Sequence, residues 1–200
     1  MKDILSTAVI VMTLFFSHVI GSYKQEAVYP KELYGQIPVY TSLLDTGLEA
    51  RPGIKREIKY IVIHETANTD IGSNAQNHSI YLQEGRSGKV SWHYTVDDKE
   101  VYHHIPDNEI AWHAGDGIKE NGGNLNGIGI ELCVNSDGDF EKTLDNGAKL
   151  TAYLLRSYKL SIDDVKQHGD FISKNCPCNI RNDGKWNEFL NRVSEYLDIM

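Results

Sequence analysis

The sequence predicts an α/β domain: one central mixed β-sheet flanked by helices, in a single unit. Three observations point there. Ile58–His64 and Ile128–Val134 are continuous apolar runs rich in Ile, as strands covered on both faces require. Trp92–Val96 and Glu100–Ile105 alternate around Asp97-Asp98-Lys99, a hairpin signature. Thr143–Leu160 and Trp186–Leu197 repeat apolar residues at helical spacing. Strands interleaved with helices in this order stack as layers around one core.

Taken along the chain, each element has its own reason. From Ile4 to Ser22 there is no Asp, Glu, Lys or Arg, and Ile4–Phe16 is dense in Ile, Leu, Val, Met and Phe. With Lys2 before it and Gly21 at its end, segment 1–22 reads as a secretory signal peptide. The alternative is an uncleaved anchor, since the run approaches the length of a spanning helix. Residues 23–53 are polar and broken by Pro30, Pro38, Pro52 and Gly53, so they read as an N-terminal arm, with Leu43-Leu44 packing on the core. The folded domain is expected over 54–200. Residues 74–85 read as a helix with Ile80, Tyr81 and Leu82 on or near its buried side. In the helix over 143–160, Ala148, Ala152, Leu155 and Tyr158 recur at spacings of four and three. The last helix carries Trp186, Phe189, Leu190, Val193, Tyr196 and Leu197 in one stripe, which is core and holds no chemistry.

Bulk properties exclude some functions. Two hundred residues suffice for one domain with its own core, and 40% apolar with 24% charged residues is a globular composition. A net charge of −8 lacks the electrostatic footprint of a nucleic-acid binder and of a polybasic membrane patch. The cysteines, Cys133, Cys176 and Cys178, are odd in number. Cys133 ends a buried strand, where a thiol serves as a small apolar group; pairing with Cys178 in an oxidising exterior is the alternative.

The candidate chemistry begins at His64, where the run Ile61-Val62-Ile63 ends, and is answered far along the chain by His168 and Cys176. Two imidazoles and a thiolate from distant segments suit a metal that joins separate elements. They leave the fourth tetrahedral position of zinc open, as in catalytic rather than structural sites. A hydrogen-bonded strand-end His64 and a buried thiol at Cys176 are the plain alternatives, and Cys178 could stand in for Cys176. Glu131 lies among Ile128, Ile130 and Leu132, so a charge within that strand calls for a reason.

Five blocks set these residues in context: IVIHETAN (61–68), SWHYTVDDKEVYHHIP (91–106), AWHAGDG (111–117), NGIGIELC (126–133) and KQHGDFISKNCPC (166–178). In this order they resemble the type 2 N-acetylmuramoyl-L-alanine amidases, related to T7-type lysozyme and the peptidoglycan recognition proteins. The likeness covers about residues 54–197. It implies a zinc enzyme of the cell wall, secreted if segment 1–22 is the signal peptide it reads as. Such an enzyme cuts the amide between N-acetylmuramic acid and the first L-alanine of the stem peptide, and acts as a monomer on peptidoglycan. Membrane attachment would follow only from an uncleaved N-terminal segment.

The resemblance also assigns roles. It puts His64, His168 and Cys176 in the metal-ligand positions, the Cys-Pro step matching Cys176-Pro177. Glu131 falls where the family has its catalytic carboxylate, able to move a proton from water to the leaving nitrogen. Lys174 falls where a Lys stabilises the oxyanion. His93, Trp112 and His113 are expected to line the substrate groove. His103 and His104, adjacent on a strand, point to opposite faces and read as structural. One position departs: T7-type members carry a catalytic Tyr where this chain has Trp92, which has no ionisable group. That role falls to Glu131 and Lys174. The rival function is a non-catalytic peptidoglycan-binding module; such relatives typically lose the Cys ligand that this chain keeps.

Overall fold

In the computed structural model, which describes residues 30–199, seven strands form one sheet. They are β1 (Glu32–Leu33), β2 (Ile37–Thr41), β3 (Tyr60–Glu65), β4 (Tyr94–Val96), β5 (Val101–His103), β6 (Gly127–Leu132) and β7 (Val165–Gln167). Their spatial order is β1-β2-β5-β4-β6-β3-β7. The β1–β2 and β4–β5 pairs are antiparallel, and every other neighbouring pair is parallel. The helices are α1 (Ala75–Gln83), α2 (Gly123–Asn126), α3 (Phe140–Tyr158), α4 (Cys178–Asn182) and α5 (Trp186–Asp198). The expected mixed sheet with flanking helices is therefore the observed architecture. The segment read as a signal peptide lies outside the described residues.

Side-chain alternation divides the sheet into two faces. Ile61 and Ile63 of β3, Tyr94 and Val96 of β4, and Ile128, Ile130 and Leu132 of β6 enter one cluster with Leu144, Leu154, Phe189 and Val193 of α3 and α5. The opposite face of the same strands carries Val62, His64, Thr95, Gly129 and Glu131. On that side a smaller cluster joins Leu82 of α1 to Leu44, Ala50, Trp92, Ile105 and Ala111. The functional site sits on this second face.

Two expectations change. The segment expected as an extended arm supplies β1 and β2, and Leu33, Ile37 and Val39 enter the larger core. Its turn needs left-handed backbone at Tyr34 and Gly35 (φ 53° and 63°). In α1 the buried side is Ala75, Ser79 and Leu82, one stripe at i, i+4 and i+7. Ile80 and Tyr81 flank that stripe and remain 42% and 38% exposed.

Candidate metal centre and active site

The site occupies the carboxyl ends of β6, β3 and β7, three neighbouring parallel strands, where ligand crevices of open α/β sheets form. His64 is on β3 and pairs in register with Glu131 on β6. Ile63 pairs with Gln167 on β7, so His168 leaves the sheet one residue later beside His64. Cys176 returns on the following loop, where Gly169 N–H donates to its carbonyl at 3.0 Å.

Three buried donors converge. His64, His168 and Cys176 are 1%, 3% and 5% exposed, and their ligand atoms all lie within 4.8 Å of one another. His64 Nδ1 is 3.0 Å from His168 Nδ1 and 3.9 Å from Cys176 Sγ. A tetrahedral zinc, with Zn–N about 2.0 Å and Zn–S about 2.3 Å, sets such donors roughly 3.3–3.6 Å apart. The donor chemistry fits as well. Burial holds both imidazoles below their ordinary range, His64 well below it and His168 at about 4, so both rings keep a lone pair to share. Burial pushes the Cys176 thiol up to about 12, with the Glu131 carboxylate adding to the shift. A thiolate forms in such surroundings opposite a cation, and zinc is the cation this donor set suits.

Glu131 stands beside the donors, its Oε1 3.9 Å from His64 Nδ1. Its Oε2 is buried with no hydrogen-bond partner. Burial raises its carboxyl to about 8, while the Lys174 ammonium works in the opposite direction. Lys174 itself is exposed at the mouth of the site, and its charge also lowers the His64 and His168 imidazoles. The expected ligand, base and oxyanion residues are thus gathered in one place.

The residues expected along the groove are distributed differently. His93 has no exposed surface and cannot touch a ligand. It accepts from Gly129 N–H through Nδ1 and donates to the Glu109 carbonyl through Nε2, each at 3.0 Å. Trp92–Val96 is covered on both faces, so strand parity could not assign this ring to the surface. His113 is also buried, 2.9 Å from His64 Nε2. Trp112 is half-buried, its backbone paired with Ser91. His103 and His104 occupy opposite faces: one ring stacks on Tyr94 and the other bonds Thr95 Oγ1. Cys133 and Cys178 are free thiols, the first buried and the second half-buried.

Glu65 was not anticipated. Its carboxylate accepts from Asn179 N–H and Ile180 N–H at 2.8 and 3.0 Å, the first turn of α4. This fastens the segment after Cys176 to the residue after His64, so two ligands share one rigid connection. A carboxylate directly following a strand-end His was its only trace in the sequence.

A cleft of about 700 Å³ opens beside Thr66, two residues past His64. Tyr81, Arg86, Val90 and Trp92 wall it, and Asn68, Asp70 and Asn77 offer polar groups. Trp92 is held rigid because its Nε1–H donates to Thr95 Oγ1 at 2.6 Å.

The N-acetylmuramoyl-L-alanine amidase family model matches residues 54–179. Amidase CwlH of Bacillus subtilis is 41% identical over 144 residues, which is 72% of this chain and 56% of that protein. Amidase XlyA of the same organism is 40% identical over 141 residues, 70% of this chain and 46% of that protein. The chain thus spans about half the length of these curated relatives. Among solved structures, the catalytic domain of XlyA superposes with a TM-score of 0.74 at 38% identity, covering 78% of this chain and 99% of that one. PlyL gives 0.71 at 29% identity, covering 78% and 97%.

Proposed function

Because the chain belongs to the N-acetylmuramoyl-L-alanine amidase family, we propose that it is a zinc hydrolase of bacterial peptidoglycan. It cuts the amide between N-acetylmuramic acid and the first L-alanine of the stem peptide. The observation that carries this reading is the buried His64–His168–Cys176 donor set with the Glu131 carboxylate 3.9 Å from His64. A recognition module has no use for a carboxylate poised there.

His64, His168 and Cys176 would hold the zinc. When bound, zinc supplies Lewis acidity, polarising the scissile carbonyl and making water more acidic near neutral pH. Glu131 takes the proton of the attacking water on its carboxylate and returns it to the departing alanine nitrogen. A carboxyl that burial moves toward neutrality suits both directions of that transfer. The Lys174 ammonium stabilises negative charge on the carbonyl oxygen of the tetrahedral intermediate. The cleft beside Thr66 has the size and mixed lining to seat part of the substrate, with Trp92 as a fixed apolar wall.

Mass spectrometry of purified walls digested with the protein tests the bond cut. New L-alanine amino termini are expected, with no new reducing sugars; intact walls or new reducing ends would refute the reading. Lys174→Ala tests the oxyanion role. Because Lys174 is exposed, the expected fall in kcat is about 10-fold, below that for a buried oxyanion donor, with zinc content and KM unchanged. A rise in KM alone would reassign Lys174 to ground-state binding.

A further inference from the structure

His113 sits in a seat built for its ring. A Cβ added at Gly129 would come within 2.7 Å of the His113 ring, so only glycine leaves room for it over β6. The His113 and Ala114 amides both donate to Asn124 Oδ1, at 2.7 and 2.6 Å. Asn124 is fixed in turn by the Asp116 carboxylate, which accepts from the Gly123 and Asn124 amides at 2.6 and 3.2 Å. Loop 113–124 therefore holds one imidazole in one orientation.

That orientation dictates where the protons are. His113 Nε2 is 3.1 Å from the Gly127 carbonyl, which can only accept, so Nε2 carries the hydrogen. A neutral ring protonated at Nε2 has a bare Nδ1. The bare Nδ1 lies 2.9 Å from His64 Nε2, which must then donate. His64, protonated at Nε2, presents a free lone pair at Nδ1, the atom facing His168 and Cys176.

We infer that His113 is a positioning residue for the metal centre: the relay Gly127 O–His113–His64 locks the tautomer and ring orientation in which His64 offers Nδ1 to zinc. This replaces the substrate-contact role expected for His113 and rests on the zinc reading above. Partners of this kind raise ligand basicity, and their loss typically weakens metal binding 10- to 100-fold.

The test is the zinc dissociation constant, measured by chelator competition on the full chain. His113→Leu fills the seat without an acceptor and should weaken zinc binding by about 10- to 100-fold. His113→Gln offers Oε1 to His64 Nε2–H and should recover part of that loss. Unchanged affinity in His113→Leu, or no recovery in His113→Gln, would overturn the inference. So would a raised KM with zinc affinity intact, which returns His113 to the substrate groove. If the variants do not fold, nitrogen-15 spectra of the zinc-loaded wild type decide. A proton on His64 Nε2 with a bare His113 Nδ1 is expected, and a proton on His113 Nδ1 refutes it. Wild-type protein that takes up no zinc would instead defeat the proposed function, a separate outcome.

Discussion

Removing any one of the His64, His168 and Cys176 donors is expected to empty the proposed centre and abolish hydrolysis. Purified wild-type protein is expected to carry about one zinc per chain. His64→Ala, His168→Ala and Cys176→Ser should each lose it, and chelation of the wild type should do the same reversibly. The structural reason is that no fourth protein donor joins the cluster among the described residues. Each donor would be a third of the protein's hold on a bound ion. Cys176→Ser is the most informative of the three, because it keeps the shape and exchanges a soft thiolate for a weakly acidic hydroxyl. Its zinc content, read by atomic absorption, separates a ligand from a merely buried thiol. Zinc also stabilises the fold it binds, by RT ln(1 + [Zn]/Kd), so added zinc should raise the wild-type melting temperature and leave the three variants unmoved. Full activity without a bound transition metal would refute the centre.

Glu131→Gln should keep its zinc and lose roughly 10²-fold or more in kcat, the scale of one general acid–base group. The amide has nearly the carboxylate's shape, and Glu131 lies on β6 in register with His64, so the backbone has no reason to move. The variant lacks only the ability to take a proton. Stability should respond in the opposite sense. Burial raises the Glu131 carboxyl above its unfolded value, so its ionised form opposes folding once the pH exceeds the unfolded pKa. In metal-free protein above about pH 5, Glu131→Gln should therefore melt no lower than wild type. Loss of zinc in this variant would make Glu131 a ligand or a structural group and refute its role as the base.

The sequence was most readable where one signal determines one element. Apolar continuity marked β3 and β6, alternation marked the β4–β5 hairpin, and helical periodicity marked α3 and α5 to within a few residues. Three strands were not legible. β1, β2 and β7 have two, five and three residues, and β2 contains Pro38, so no period can develop. Pro38 is admissible there because Val39 N–H, not Pro38, donates toward β1, and the pairing of β2 with β5 begins only at Val39. In the site, residue types and order singled out the donors and Glu131. What they could not tell was how many histidines the interior absorbs. His93, His103, His104 and His113 are all buried, and each bonds through at least one ring nitrogen to a carbonyl, an amide, a hydroxyl or another ring. Histidine is common both in clefts and in polar interiors, and only the third dimension separates them.

The candidate donors come from a strand and two loop positions that are close in space and far apart along the chain. His64 lies 104 residues from His168 and 112 from Cys176. Closing loops of that length is entropically expensive and must be offset by the sheet before the donors meet. The ion therefore cannot seed this fold as it seeds a zinc finger, whose ligands are local. A growing chain has no complete centre until residues beyond 176 have been made and β7 has docked beside β3. Zinc bound at the proposed centre would act last, on a structure already assembled, so it is expected to slow unfolding and leave the folding rate to the sheet.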